Sequence, residues 1–466
     1  MNKLILAKAI FLFCLSVSAQ QETESLNNAK FDGYKGIWYS LGQFYEHGDK
    51  YSGGLGTYTA KHRPMAIYAS EVDKTFFVYG GTTKEDEKHL LCMIGFYDHQ
   101  KNVVSKPVVV HDKVTVNDPH DNPSLLIDQE GYLWVFVSGR AQIRPGFKYK
   151  SAEPYNINRF EQIRKEEMTY PQPWLMEDNS FFNFFTKYTG RRELYFETSP
   201  DGYSWSDDQK LAGMKRADDK NAGHYQVSAV QNSKLGTFFS WHPNGNVDKR
   251  TNLYYLQTTD KGETWTSANG NRLDIPLKQP SNQAMVINYF EKQRNVYLKD
   301  MTFDDKGHPM CIYITSKGHK PGPPSEPYVW KFTKWDGKQW ETSEICESSH
   351  NYDMGSLYLT DTALMVIAPV IRGPQEYGVG GEIAMMISRD GGNSWRRHMQ
   401  VTRNSKNNHS YVRRPLYAKD PFLYFWADGN PNDFSKSMLY FGNSRGEVWQ
   451  LPYEMEKSYV TPVRMD

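Results

Sequence analysis

The chain is poor in cysteine: four residues in 466, one of which, Cys14, falls inside an N-terminal apolar run. The other three, Cys92, Cys311 and Cys346, are odd in number and widely spaced. That excludes a disulfide framework and a zinc-ligand spacing, and leaves open one bridge or three buried thiols. Charge of one sign is also missing. The 55 basic and 54 acidic residues leave a net charge of +1, which argues against a nucleic-acid partner and against a polybasic membrane patch. Past the N-terminus no apolar run is long enough to cross a bilayer, so no membrane span is expected. Helix-period stretches are scarce; the best, 158–167, is short and charged and reads as loop decoration. No HExxH, P-loop, GxSxG or EF-hand pattern occurs. No Asp/Glu pair stands apart from the turn acids, so the two-carboxylate arrangement of ordinary glycosidases is not visible. No metal site or cofactor is indicated; a structural Ca²⁺ is compatible with the chain but no ligand motif marks one.

The first 21 residues, MNKLILAKAIFLFCLSVSAQQ, carry Lys3 and Lys8 and then the apolar run. Val17 and Ala19 suit a cleavage after Ala19, so 1–19 reads as a signal peptide and the protein is expected to be secreted or periplasmic. Phe13 stands before Cys14 where a lipoprotein signal needs a small residue. Residues 20–466 are expected to form one domain.

What is abundant is a turn. Thr258–Trp265 (TTDKGETW) and Ser388–Trp395 (SRDGGNSW) share the pattern Ser/Thr-x-Asp-x-Gly-x-Ser/Thr-Trp, the Asp-box. Looser copies lie at 199–205 (SPDGYSW), 333–340 (TKWDGKQW) and 443–449 (NSRGEVW). Asp and Ser side chains bond nearby backbone N–H groups, Gly takes the φ > 0 position, and Trp packs back on the sheet. The Trp residues recur at intervals of about 54 to 75 residues, the length of a propeller blade. Between them lie short β-branched and aromatic runs such as TFFVYGG (75–81), YLWVFVSG (132–139), TFFSW (237–241), NLYYLQT (252–258), PMCIYIT (309–315), ALMVIAPV (363–370), IAMMIS (383–388) and FLYFWAD (422–428), each bounded by turn residues. The fold class that follows is all-β: a seven-bladed β-propeller of four-stranded antiparallel blades, at roughly 60 residues per blade.

A propeller gathers one end of every innermost strand around its axis, so a site must be sought as scattered residues beside strand starts. Four sets qualify. His62 follows a Gly-rich stretch and could act as acid or base, or serve as a hydrogen-bonding histidine beside a strand. His120 heads a strand-like segment, with Asp121 and Asn122 after it as turn residues. Tyr170 and Gln172 (TYPQPW), Arg191 and Arg192 (TGRREL) and His224 with Tyr225 (GHYQVS) form the third set. There Arg would grip a carboxylate bidentately, and Tyr beside a neutralised uronate could exchange a proton in β-elimination. The fourth comprises His409, Tyr411, Arg413 and Arg414, with Tyr352 and Asp353. The 31 Tyr and 12 Trp serve blade cores and also suit stacking against sugar rings.

Taken together, KYSGGLGTYTAKHRPMAIYAS, HDNPSLLIDQEGYLWVF, TYPQPW, SPDGYSW, GHYQVS and RTNLYYLQTTDKGETW resemble the BNR-repeat propellers of Bacteroidetes polysaccharide loci, over nearly all of the chain after the leader. Two branches are relevant. One resembles glycoside hydrolase family 145, α-L-rhamnosidases that remove rhamnose from glucuronic acid with a single catalytic His on the face opposite the usual propeller site. SGGLGTYTAKHRP places His62 at that position, so the resemblance implies hydrolysis through His62. The other is similar to the propeller ulvan lyases, which β-eliminate at glucuronate. There His120, Tyr170, Tyr225 and Arg191 or Arg192 match, but Arg140 stands where that pattern has its second His. On this footing the leading expectation is an α-L-rhamnosidase acting through His62 on Rha-α-1,4-GlcA, with Arg140, Arg191, Arg192, His224, Gln172, His409 and Arg413 binding substrate. A lyase using His120, Tyr170 and Tyr225 is the alternative, and a non-catalytic glycan-binding propeller the second. In each case the partner is a rhamnose- and uronate-containing carbohydrate.

Overall fold

The computed structural model describes residues 25–465 apart from Thr115 and Asn117; the expected signal peptide lies outside them. Strand accounts for 49% of the chain and helix for 3%, so the molecule is all-β. Seven sheets of four strands or more follow one another along the chain. Their first strands are Ala66–Ala69, Pro123–Ile127, Thr169–Leu175, His224–Gln231, Asn295–Phe303, Ser356–Thr360 and Asn408–Arg413. Within a sheet the order is sequential and antiparallel, as in Pro123–Ile127, Leu133–Val137, Gly146–Ser151 and Phe160–Glu166. The last of these corrects one expectation. The charged stretch at 158–167 is an edge strand, because one face of FEQIRKE meets solvent and its backbone pairs with Gly146–Ser151.

Consecutive sheets are joined near their first strands. Leu125 N–H donates to the Pro64 carbonyl (2.8 Å), and Val296 N–H to that of Arg250 (3.0 Å). The ring closes where Leu416, just after the seventh first strand, exchanges bonds with Ala66 and Tyr68 of the first (2.9 and 3.0 Å). Near the C-terminus Tyr459–Val460 pairs with Val103–Ser105, so the last segment also returns to the first large sheet.

The Asp-box turns form as their chemistry requires. Asp260 Oδ1 accepts from Thr264 N–H (2.9 Å) and Thr258 Oγ1 accepts from Gly262 N–H (2.9 Å). Asp390 and Ser388 repeat this with Ser394 and Gly392 (3.0 and 2.8 Å). Gly262 and Gly392 both sit at φ +92°, a conformation a side chain would strain. Each of four box tryptophans packs on the preceding sheet: Trp205 on Phe136, Trp265 on Phe184 and Phe196, Trp340 on Phe238 and Tyr255, and Trp395 on Phe332. The turn is thus also an inter-sheet staple, each edge-to-face pair contributing about 0.5–1.5 kcal/mol beyond its buried area. Cys92, Cys311 and Cys346 are free, which settles the choice between a bridge and thiols.

Candidate active site

Where the first strands begin, a pocket opens on the ring axis. Every one of the seven large sheets reaches it through its first strand or the residues leading into that strand: Tyr58–Lys61, His120, Tyr170, Tyr225, Tyr297 with Lys299, Tyr352 with Met354, and Tyr411. Two of these tyrosines depend on irregular backbone. Tyr170 (φ +55°) and Tyr411 (φ +60°) sit at register shifts of their strands. The bulge re-aims a side chain that regular pleating would direct elsewhere; Tyr170 N–H is then held by Ser138 Oγ (3.0 Å).

His120 lies in a short 3-10 turn, Pro119–Asp121, capped by Asp118, whose Oδ1 accepts both His120 N–H (3.1 Å) and the ring Nδ1–H. Burial works against the Asp118 charge. His120, Arg140 and Arg144 outweigh it and hold the carboxyl well below the usual carboxylate range. With Nδ1 so engaged, His120 turns Nε2 to the Tyr58 hydroxyl (3.3 Å). Asn122 and Asp121 are structural, as their turn setting suggested. Asn122 donates to the Leu55 and Tyr58 carbonyls (2.7 and 2.6 Å), and Asp121 binds Arg144 (2.9 Å) and Lys113 (3.2 Å).

Tyr225 is the most cation-surrounded group in the pocket. Its ring centroid lies 4.7 Å from Lys61 Nζ, 4.9 Å from the Arg250 guanidinium carbon and 5.8 Å from that of Arg192. Burial raises its pKa, but Arg192, Arg250 and Arg140 outweigh that and pull it below the ordinary tyrosine value, helped by the Tyr170 hydroxyl. Tyr170 is pushed the other way, first by burial and then by Tyr225, so it stays protonated. Arg192 donates to the Gly245 carbonyl (2.9 Å); Arg250 donates to the Val247 carbonyl (3.0 Å) and the Tyr352 hydroxyl (2.8 Å). Among the described residues Arg192, Arg250 and Lys61 have no carboxylate partner, whereas Arg140 is tied to Asp118 (2.9 Å) and Lys50 to Asp248. Two arginines facing one cavity without an acid form a receptor for an anionic group; Lys61 stands beside them, its pKa driven well below the ordinary lysine value by burial and then by Arg250.

The residues expected from sequence divide clearly. His120, Tyr170, Tyr225, Arg140 and Arg192 come together in the pocket, with Tyr352 and Tyr411 of the fourth set. His62 does not open onto it. Its ring is 0% exposed, accepts Thr59 N–H at Nδ1 (3.4 Å) and donates Nε2–H to the His120 carbonyl (3.0 Å). Burial, followed by Arg413 and His120, drives its pKa well down, so it is neutral. A ring with both nitrogens engaged and no surface has nothing with which to protonate a sugar oxygen, so the geometry does not favour His62 as the catalytic group. Four of the expected substrate-binding residues are used inside the protein. His224 accepts Met214 N–H and donates to the Ser240 carbonyl (3.0 Å each). Gln172 ties two first strands, donating to the Gln226 carbonyl (3.1 Å) and accepting from Ser228 (2.6 Å). His409 accepts Trp426 Nε1–H (2.8 Å), and Arg413 donates twice to the Thr57 carbonyl (3.0 and 2.9 Å). Arg191 is exposed on its turn and does not line the pocket. Sequence reasoning missed Lys50, Lys61, Arg250, Tyr297 and Lys299. The first two stood inside the quoted Gly-rich segment, while Arg250, in the connection ahead of Thr251–Thr258, carried no local signal. No group of three or more His, Cys, Asp or Glu among the described residues could hold a metal ion.

Comparison with known proteins fits this architecture. The chain is 23% identical over 338 residues to an ulvan lyase of Alteromonas sp. (strain LOR), covering 64% of this chain and 67% of that one. It is 22% identical over 319 residues to an ulvan lyase of Nonlabens ulvanivorans, covering 60% and 64%. These matches span about two thirds of the curated relatives' own length. Among solved structures, a PL25 ulvan lyase bound to -[GlcA(1-4)Rha3S]- superposes with a TM-score of 0.70 at 16% identity, covering 84% of this chain and 93% of that one. The polysaccharide lyase Uly1 superposes with a TM-score of 0.61 at 13% identity, covering 92% and 98%. Both share the fold. A family model described as BNR repeat-containing family member matches residues 74–348. With more than half of its length inside that match, the chain belongs to this BNR repeat-containing family.

Proposed function

We propose that the chain is a polysaccharide lyase that cleaves a rhamnose–glucuronate polysaccharide of the ulvan type at its glucuronate, by β-elimination. The observation that carries this reading is the set of basic groups without acid partners, Arg192, Arg250 and Lys61, gathered around the Tyr225 phenol. The relatives named above are lyases and not hydrolases, which supports the same choice.

Elimination breaks the C5–H and C4–O4 bonds of the uronate and forms a C4=C5 double bond. The C5 proton is weakly acidic until the adjacent carboxylate is neutralised, because its removal pushes charge onto that carboxylate. Arg192 and Arg250 supply the neutralisation, with Lys61 beside them as a further donor, and they bind the enolate-like state better than the ground state. Tyr225, its phenolate favoured by the same cations, takes the proton from C5. Tyr170 remains protonated beside it and donates to that oxygen. O4 leaves with a proton that His120 Nε2, the nitrogen facing Tyr58, takes up from solvent while Asp118 holds Nδ1–H; the C5 proton on Tyr225 then passes to solvent, so the step gains and loses no net proton. The aromatic wall, with Tyr51 stacked on Tyr352 at 5.2 Å, offers faces for sugar rings. With a leader expected at 1–19, we infer that this activity is periplasmic or secreted.

Incubation with a rhamnose–glucuronate polysaccharide tests the reading. An absorbance rise from the unsaturated uronate, with product masses that sum to the parent without added water, is the expected result. Products carrying an added water would refute it, as would no absorbance rise on any uronate polymer. Hydrolysis through His62 gains no support from the axial pocket, which that ring does not line.

A further inference from the structure

Below the candidate active site lies a second, small cavity, walled by His62, Arg63, Lys299, Asp300, Arg413 and Arg414 among others. Lys299 and Met354 line both cavities and form the partition between them. Its charge does not balance. Asp300 is the one carboxylate in its wall, and three arginines share it or go without. Arg63 binds it at 2.6 Å and Arg414 Nε reaches it only at 3.6 Å, while both arginines donate an Nη2–H to the Met301 carbonyl (3.3 and 3.5 Å). Arg413, 4% exposed, forms no ion pair among the described residues and spends two N–H groups on the Thr57 carbonyl. Asp300 is further committed to the N–H groups of Met301 and Leu357 (2.8 Å each). Lys299 donates to the Asn351 carbonyl (2.6 Å). The nearby acid, Asp353, is taken up by Ser348 and by the N–H groups of His350 and Gly380. His62 is neutral and fully used. Three arginines thus face one wall carboxylate, with Lys299 beside them, its pKa pulled down to about 7 by burial, and an uncompensated buried charge is costly.

We propose that this lower cavity binds a halide-sized inorganic anion between Arg63, Arg413 and Arg414. The ion completes the charge balance and holds Arg413 against the Thr57 carbonyl. Thr57 precedes Tyr58, whose hydroxyl meets His120, and the His120 carbonyl accepts from His62 on the cavity wall. The anion is therefore structural support for the segment carrying His120. The anion would sit there whatever the chemistry of the upper pocket, and its binding can be measured without substrate.

The test combines crystals grown in bromide with thermal unfolding. The expected results are an anomalous peak between the three guanidinium groups, and a saturable rise of about 2–4 °C in melting temperature as chloride replaces methanesulfonate at constant ionic strength. In Arg413→Gln the peak and the rise both disappear. If that variant fails to fold, Arg414→Gln, at the partly exposed edge, carries the same expectation. No peak at this place in the wild-type crystal, or equal melting temperatures in both salts, overturns the proposal. Density for a tetrahedral oxyanion from sulfate at the same position, with none for bromide, overturns the halide assignment.

Discussion

Tyr225→Phe removes one oxygen from the pocket and little else. The ring keeps its neighbours: His242 at 4.9 Å edge-on, Lys61 at 4.7 Å and Arg250 at 4.9 Å. The basic groups that would hold the uronate carboxylate are unchanged, so substrate binding should be preserved and KM should stay within about threefold. What is lost is the base. A positioned general base contributes about 10²–10⁴ in rate, or about 3–5 kcal/mol of barrier, so kcat should fall by about a thousandfold. The sign of the pH dependence follows from the same geometry. The base works deprotonated, so wild-type activity should rise with pH as the phenol ionises. Because Arg192, Arg250 and Arg140 outweigh burial, that rise should fall below the ordinary tyrosine range near 10. In the variant the ascending limb should vanish while the melting temperature stays put, since Tyr225 is half-buried and its hydroxyl supports no backbone group. Initial rates from the absorbance of the unsaturated uronate, measured across pH, decide it. A variant that keeps more than a tenth of wild-type kcat with an unaltered pH profile would show that Tyr225 is not the base.

Arg250→Met should lower kcat/KM at least a hundredfold through both constants, because the guanidinium meets substrate and developing charge alike; steady-state kinetics at fixed ionic strength reads this. Asp118→Asn should leave the fold intact and cut kcat, since His120 loses the carboxylate that orients its ring, with a changed pH profile as the mark of a positioning effect. His62→Ala should lower unfolding stability by about 1–3 kcal/mol by leaving the His120 carbonyl unpaired, while any products still carry the masses of elimination; mass spectrometry and denaturant titration check the two halves. Burial pushes Asp428 up to about 6. A carboxyl with a raised folded pKa stabilises the protein below its unfolded pKa near 4, and that contribution is lost as pH rises through 6. Asp428→Asn should therefore flatten the stability profile between about pH 4 and 6, a change of about 2–3 kcal/mol visible in denaturant midpoints.

The fold was legible because its signals are short-range. An Asp-box closes within eight residues: Asp260 reaches Thr264, and Gly262 needs only its own φ. The alternation of β-branched and aromatic runs marks strands without knowledge of their partners. The stretch 158–167 misled for a related reason. Its charged face resembles a solvated loop until Gly146–Ser151 supplies the pairing that makes it an edge strand.

The site was legible only in part. His120, Tyr170, Tyr225 and Arg192 could be picked out as polar residues beside strand starts, which is where a propeller axis must draw its chemistry. Whether a polar residue at such a place turns inward is decided by what the neighbouring sheet offers it. His224 finds the Ser240 carbonyl and Gln172 finds Ser228, and both are spent on packing, while Arg413 is turned to the Thr57 carbonyl and away from the pocket. Arg250 looks like any charge after Lys249, yet ring closure sets it between Tyr225, Tyr297 and Tyr352. The sequence by itself determined the turns, the all-β class and the kinds of residue available on the axis. Only the closed ring decided that His62 is sealed beneath His120 while Tyr225 stands among unpaired cations, because which side of a strand start meets the axis depends on bulges and on bonds to sheets scores of residues away.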